Sequence, residues 1–191
     1  MKNIAVFAGA SASINPEFND KMFKVGQLLA QNKKILVFGI GDEGMMGVVY
    51  RGTRSLGGKV IGVTTPKLLK LQCKNPKEFG PGEIEIVENL SVRKAQMFTL
   101  ADALLIGPGG WGTMDEVCEY CVLTQIGELP RKPVIFLNFN GFWNPMKQLI
   151  QTMLEKGTVK KTLCTFIDFL EEPDELFPLL KKMEKKIKDE S

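Results

Sequence analysis

Residues 103–126 read Ala-Leu-Leu-Ile-Gly-Pro-Gly-Gly-Trp-Gly-Thr-Met-Asp-Glu-Val-Cys-Glu-Tyr-Cys-Val-Leu-Thr-Gln-Ile. Three pieces sit back to back. Ala103 to Ile106 is a short apolar run, the length of a buried strand. Gly107 to Gly112 holds four glycines and a proline, which no regular element can cross. From Thr113 the pattern is helical, with neither Gly nor Pro until Gly127. Strand, glycine turn and helix start together make an anion site. Glycines let the main chain approach a ligand closely, the first-turn N–H groups point outward unpaired, and the helix dipole adds positive potential there. This predicts a phosphate-bearing ligand over the turn. A plainer reading stands beside it. Thr113 and Glu116 fit the capping box Thr-x-x-Glu, in which case Glu116 does no more than start a helix.

Working outward, the 191 residues suit one domain, with 44% hydrophobic and 25% charged side chains. The net charge of +3 gives no argument for nucleic acid. No apolar run is long enough to span a membrane. The chain runs from Met1-Lys2 straight into a strand-like segment without the apolar stretch of a signal peptide, so a cytoplasmic protein is expected. There is no histidine. That removes Ser–His and Cys–His nucleophile pairs and every His-ligated metal. A general base must then be Asp, Glu, Lys, Tyr or Cys. Cys118 and Cys121 form a C-x-x-C, but well inside the predicted helix rather than at its N-terminus, where the dipole would activate a thiol. With Cys73 and Cys164 they read as buried, inert thiols.

Strands are predicted at Asn3–Phe7, Ile35–Phe38, Lys59–Val63, Glu83–Val87, Ala103–Ile106, Val134–Leu137 and Leu163–Ile167. Helical spacing marks 16–31, Met45–Leu56, a segment capped by Asn89 or Ser91, the segment from Thr113, the stripe Met146, Leu149, Ile150, Met153 and Leu154, and Glu172–Lys188. Residues 64–82, with Pro66, Pro76 and Pro81, read as an irregular excursion. Residues 181–191 read as a basic, solvated tail. Gly39-x-Gly41-x-x-Gly44 matches the dinucleotide fingerprint. It follows the second strand, however, and no acidic residue ends the next one, so NAD is disfavoured. Arg93-Lys94 falls in the first turns of a helix, where cations oppose the dipole, and taken alone reads as a solvated face.

Strands and helices alternate throughout. The expected fold is therefore a Rossmann-like, doubly wound parallel sheet of about seven strands with helices on both faces, a single nucleotide-binding α/β domain over 1–191. Right-handed crossovers bring the loops after strands one, two and five to one edge, together with Arg93.

Pro108-Gly109-Gly110-Trp111-Gly112-Thr113-Met114-Asp115-Glu116 fits P-G-G-x-G-T-x-x-E at every fixed position. By this motif, and by Arg93-Lys94-Ala95-Gln96-Met97, the chain resembles the Lonely Guy (LOG) family. Its members hydrolyse cytokinin riboside 5′-monophosphates and are also described as possible lysine decarboxylases. Phe38 to Gly47 follows the family's glycine-rich second loop, and Gly9 to Ser13 its first. Two positions depart from the pattern: Ser91 replaces a histidine and Ile40 a glycine. The similarity covers residue 3 to about 170.

The resemblance implies a homodimer with its active site near the interface, and hydrolysis of a nucleoside monophosphate to free base and ribose 5-phosphate, with no cofactor or metal. It carries over Arg93 and Glu116 as the catalytic pair. As substrate or phosphate contacts it implies Gly9, Ser11, Gly41, Gly44, Met45, Lys94, Met97, Gly109, Gly110, Gly112 and Thr113, although helical neighbours equally allow Met97 to be core. Breaking an N-glycosidic bond passes through an oxocarbenium-like ribose, which favours a carboxylate nearby. The competing reading is a non-enzymatic binder of a phosphate-bearing ligand, such as a molybdenum-cofactor carrier. A true decarboxylase would need pyridoxal phosphate on a lysine, which nothing in the sequence supports.

Overall fold

A computed structural model describes residues 1–13, 15–80 and 82–189. Seven parallel strands form one sheet among the described residues: β1 Asn3–Phe7, β2 Ile35–Phe38, β3 Lys59–Thr64, β4 Ile84–Ile86, β5 Ala103–Ile106, β6 Val134–Leu137 and β7 Ile167–Leu170. Their order is β4-β3-β2-β1-β5-β6-β7. β1 lies at the centre, with Ile4 beside Leu36 on one flank and Ala103 on the other. The chain winds outward from β1 to β4, then crosses back to β5. The loops after β1 and β5 therefore part from each other, the switch point at which such sheets bind ligands.

Alternation along the strands fills both faces. Ile4, Val6, Leu36 and Phe38 pack under α1 (Asn19–Gln31), α2 (Gly44–Ser55) and α7 (Leu176–Asp189). Ala5, Phe7, Val37 and Ile106 pack under α4 (Leu90–Leu100), α5 (Trp111–Gln125) and the start of α6 (Asn144–Glu155). α1 and α2 meet main chain to main chain, since a Cβ on Gly26 would lie 2.3 Å from the Val49 carbonyl oxygen and one on Gly52 2.2 Å from that of Phe23.

The structure corrects two sequence expectations. The seventh strand is Ile167–Leu170, not Leu163–Ile167, because a 3₁₀ turn at Lys161–Leu163 delays it. The excursion after β3 contains α3, Pro66–Gln72, whose start is fixed by Thr65 Oγ1 accepting from the Leu68 N–H at 3.2 Å. The basic segment from Lys181 lies in the last helix, as expected, which runs to Asp189 with its lysines exposed and Met183 buried; residues 190 and 191 lie outside the described residues. No helix among the described residues is long and apolar enough to cross a membrane.

Candidate active site

The loops at the switch point are stitched together by the main chain. Gly107 N–H donates to Phe7 O at 2.8 Å, Gly9 N–H to Pro108 O at 2.9 Å, and Met45 N–H to Gly9 O at 3.0 Å. Above them opens a cleft of about 1200 Å³. Its floor holds Gly9 to Ser13 after β1 and Pro108, Gly109, Gly110, Gly112 and Thr113 after β5.

α5 begins at Trp111, with Gly110 as its N-cap and no side-chain cap. The first helical bond is Met114 N–H to Gly110 O, so the N–H groups of Trp111, Gly112 and Thr113 have no carbonyl below them in the helix. This overturns the capping box. Thr113 lies in the first turn, not before it, and Glu116 is a full turn too far along to reach the cap. The glycines before Thr113 allowed the helix to start earlier than side-chain capping signals suggested.

Glu116 instead points inward from α5 to Arg93 on α4. Arg93 Nη1 donates to Glu116 Oε1 at 3.2 Å, and both residues are buried, 8% and 9% exposed. Arg93 is gripped twice more. Its Nε donates to the Val63 carbonyl oxygen at 3.0 Å, and Nη2 lies so close to Gly39 that a Cβ there would sit 1.6 Å away. Asn89 aims the helix by accepting from the Val92 N–H. The reading of Arg93-Lys94 as a solvated face is therefore wrong: both side chains turn inward, and tertiary pairing outweighs the dipole preference. Burial pushes the Glu116 carboxyl up to about 7, against the pull of the Arg93 guanidinium. A carboxyl poised near neutrality can hold or release a proton under working conditions.

Lys94, which also lines the cleft, is engaged too. Its Nζ donates to Asp115 Oδ2 at 2.7 Å and pairs with Glu119. Burial alone would lower this ammonium, but the two carboxylates outweigh it and raise it. The amine therefore does not match what Schiff-base chemistry requires, a lysine lowered toward neutrality. It is the one lysine lining the cleft among the described residues. The residues do not fit pyridoxal phosphate.

Of the other expected contacts, Gly9, Ser11, Met45, Gly109, Gly110, Gly112 and Thr113 line the cleft. Three do not. Met97 is fully buried beneath α4 in the core with Phe7 and Val37. Gly41 sits behind Met46 and Gln72. Gly44, at φ +55°, packs against the Gly9–Ser11 main chain, where a Cβ would come within 2.8 Å. Gly41 and Gly44 thus shape the loop rather than the cleft.

The cleft also contains residues that the sequence reading missed. α3 contributes Leu68, Leu71 and Gln72, Phe142 arrives from the turn after β6, and Phe18 and Leu90 complete the apolar lining. Thr65-Pro66, a cap followed by a first-turn proline, was the available signal for α3. Phe142 had none. Cys118 proves exposed rather than buried, whereas burial pushes the Cys121 thiol up to about 12. No cluster of three or more His, Cys, Asp or Glu suited to a metal occurs among the described residues.

A family model described as possible lysine decarboxylase matches residues 46–180. A cytokinin riboside 5′-monophosphate phosphoribohydrolase of Arabidopsis thaliana is 34% identical over 161 residues, covering 83% of this chain and 71% of that protein. A probable enzyme of the same name from Oryza sativa subsp. japonica is 32% identical over 184 residues, 95% of this chain and 72% of that one. Among solved structures, the molybdenum cofactor carrier protein of Chlamydomonas reinhardtii superposes with a TM-score of 0.67 at 20% identity, covering 96% of this chain and 98% of that one, a likeness of fold.

Proposed function

The chain belongs to the possible lysine decarboxylase (LOG) family, and on that premise we propose that it hydrolyses the N-glycosidic bond of a nucleoside 5′-monophosphate, of the cytokinin riboside or AMP type, to free base and ribose 5-phosphate. The observation that carries this reading is the buried Arg93–Glu116 pair beside an uncapped, glycine-built helix start. The helix start suits a phosphate dianion. The carboxylate one turn further along suits the ribose attached to it.

In this reading the first-turn N–H groups of α5 hold the 5′-phosphate, and that remote binding orients the ribose. Ionised Glu116 takes a proton from water as the water oxygen bonds to C1′. The C1′–N bond breaks, its electron pair leaves with the base, and a proton from solvent completes the free base. Arg93 fixes the Glu116 rotamer and balances its charge. Leu68, Leu71 and Gln72 of α3, with Met45 and Leu90, supply a largely apolar wall for the base. A pure carrier of a phosphate-bearing ligand has no use for a carboxylate buried beside the phosphate seat, which favours the enzyme.

The same reading includes a homodimer. Trp111, Cys118, Val122 and Ile126 recur on one side of α5 and are exposed, Trp111 at 92%. Val92 on α4 and Leu149 on α6 add apolar surface to the layer that holds the site. A second copy covering this layer would bring its own residues near the cleft mouth.

The test is incubation with AMP, isopentenyl AMP and a panel of purine and pyrimidine monophosphates, with free base and ribose 5-phosphate followed by chromatography. No base released from any of them at high enzyme concentration, or co-elution of a pterin with indifference to nucleotides, would overturn the proposal.

A further inference from the structure

Among the described residues lining the cleft, two carry positive side chains, Arg93 and Lys94. Both are already paired with carboxylates. Arg93 donates to Glu116 and Val63. The Lys94 ammonium lies between Asp115 and Glu119, and Lys94 is only 8% exposed. Asp115 and Glu119 are four residues apart on α5, hence on one side of it, the side facing α4. Lys94, Asp115 and Glu119 together carry a net negative charge. The trio therefore gives an incoming phosphate no attraction.

We infer that Lys94 is a positioning residue and not a phosphate ligand: it neutralises Asp115 and Glu119 and pins the first turns of α5 to α4, so that the phosphate is held by main-chain N–H groups. The inference rests on the reading of the cleft as a nucleotide site. Its logic is electrostatic. Remove the ammonium and two carboxylates, Asp115 exposed and Glu119 partly so, stand unbalanced a turn or two behind the phosphate seat, where their repulsions of a dianion add. Arg93–Glu116 and Lys94–Asp115/Glu119 form two adjacent clasps between the same helices. One carries the reacting carboxyl and the other holds the helix that presents it.

The experiment compares Lys94→Met in two backgrounds, reading KM and kcat for AMP and, by calorimetry, the Kd for ribose 5-phosphate. In the wild-type background, Lys94→Met should raise KM and Kd about tenfold or more, with a smaller change in kcat. The triple variant Lys94→Met/Asp115→Asn/Glu119→Gln, which removes the ammonium together with both of its partners, should stay within about threefold of the wild type in KM and Kd, because nothing is left to neutralise. A tenfold loss in the triple variant relative to the wild type would show Lys94 touching phosphate directly and would overturn the inference. The triple variant leaves neither the ammonium nor a carboxylate of the trio unpaired, so it remains decisive if the single variant does not fold. If the wild type binds ribose 5-phosphate yet cleaves no nucleotide, the proposed activity fails while the Kd comparison still decides Lys94. If it binds neither ribose 5-phosphate nor inorganic phosphate, the phosphate seat itself is wrong and the inference falls with it.

Discussion

Replacing Glu116 by Gln separates a buried, reactive carboxyl from an ordinary helix residue. Burial lifts Glu116 from its usual 4.5 to about 7. Between those values the unfolded chain gives up the proton while the folded chain keeps it. The folded state's advantage is thus complete below pH 4.5 and is lost as pH rises through 7. At 1.36 kcal/mol per pH unit, the loss from this side chain is about 3 kcal/mol. Gln keeps the volume, cannot ionise, and still offers an oxygen to Arg93 Nη1. The stability of Glu116→Gln relative to wild type should therefore rise by about 3 kcal/mol between pH 4 and pH 8. Urea unfolding of both proteins across that range measures it directly. Parallel curves would refute the reasoning, because they would mean that Glu116 ionises as it does in water. The same variant should lose about 10²–10⁴ in kcat, and wild-type kcat/KM should climb with pH through an inflection near 7, as a base that must be ionised requires.

Arg93→Met should abolish turnover and also lower stability by about 1–3 kcal/mol in thermal or urea unfolding, because the Val63 carbonyl loses its buried donor. Gly39→Ala should cut kcat about tenfold or more with circular dichroism unchanged, since the added Cβ takes the place of Arg93 Nη2. Leu71→Ser, at a position 70% exposed, should leave stability within about 0.5 kcal/mol but reduce the preference for isopentenyl AMP over AMP about tenfold in competition assays. Val122→Asp/Ile126→Asp should shift the protein to monomer in sedimentation, and any dependence of activity on the partner would appear in the same sample.

What the sequence revealed and what it hid follow one physical division. Apolar runs such as Ala103–Ile106 and Val134–Leu137 have a single place to go, between two helix layers, and the alternation of strand with helix then fixes the parallel sheet. The glycine turn was legible for the same reason: its main-chain geometry is dictated locally. The direction of a long side chain is not. Glu116 satisfied a local capping pattern and Arg93-Lys94 a local surface pattern, yet each was decided by a partner more than 20 residues away, the Glu116 carboxylate for Arg93 and the α5 carboxylates for Lys94. Met97 fell into the core because its neighbour Arg93, one helical turn earlier, already faced the cleft edge of the helix. Phe142 reaches the cleft only because Asn140 and Gly141 turn through left-handed conformations after β6, at φ 52° and 73°.

Ile40 shows how a departure from the family's glycine can leave this geometry intact. Its φ of +58° lies in the left-handed region, where a β-branched residue is strained by roughly 1–3 kcal/mol. The side chain is 1% exposed, and complete burial of an isoleucine contributes about 1.5–3 kcal/mol, so the two effects nearly cancel. The burial is possible because the neighbouring strand carries Gly62: a Cβ there would lie 2.0 Å from Ile40 Cδ1. A glycine at 40 with a larger residue at 62, or Ile40 over Gly62, can therefore support the same turn. Here the filled niche lies next to Val63, which accepts from Arg93, while Gly39, the residue before Ile40, is the surface against which the guanidinium rests. The strained turn and the Arg93 guanidinium are thus held by the same two strand ends, and the cost of the one is met by packing that also fixes the other.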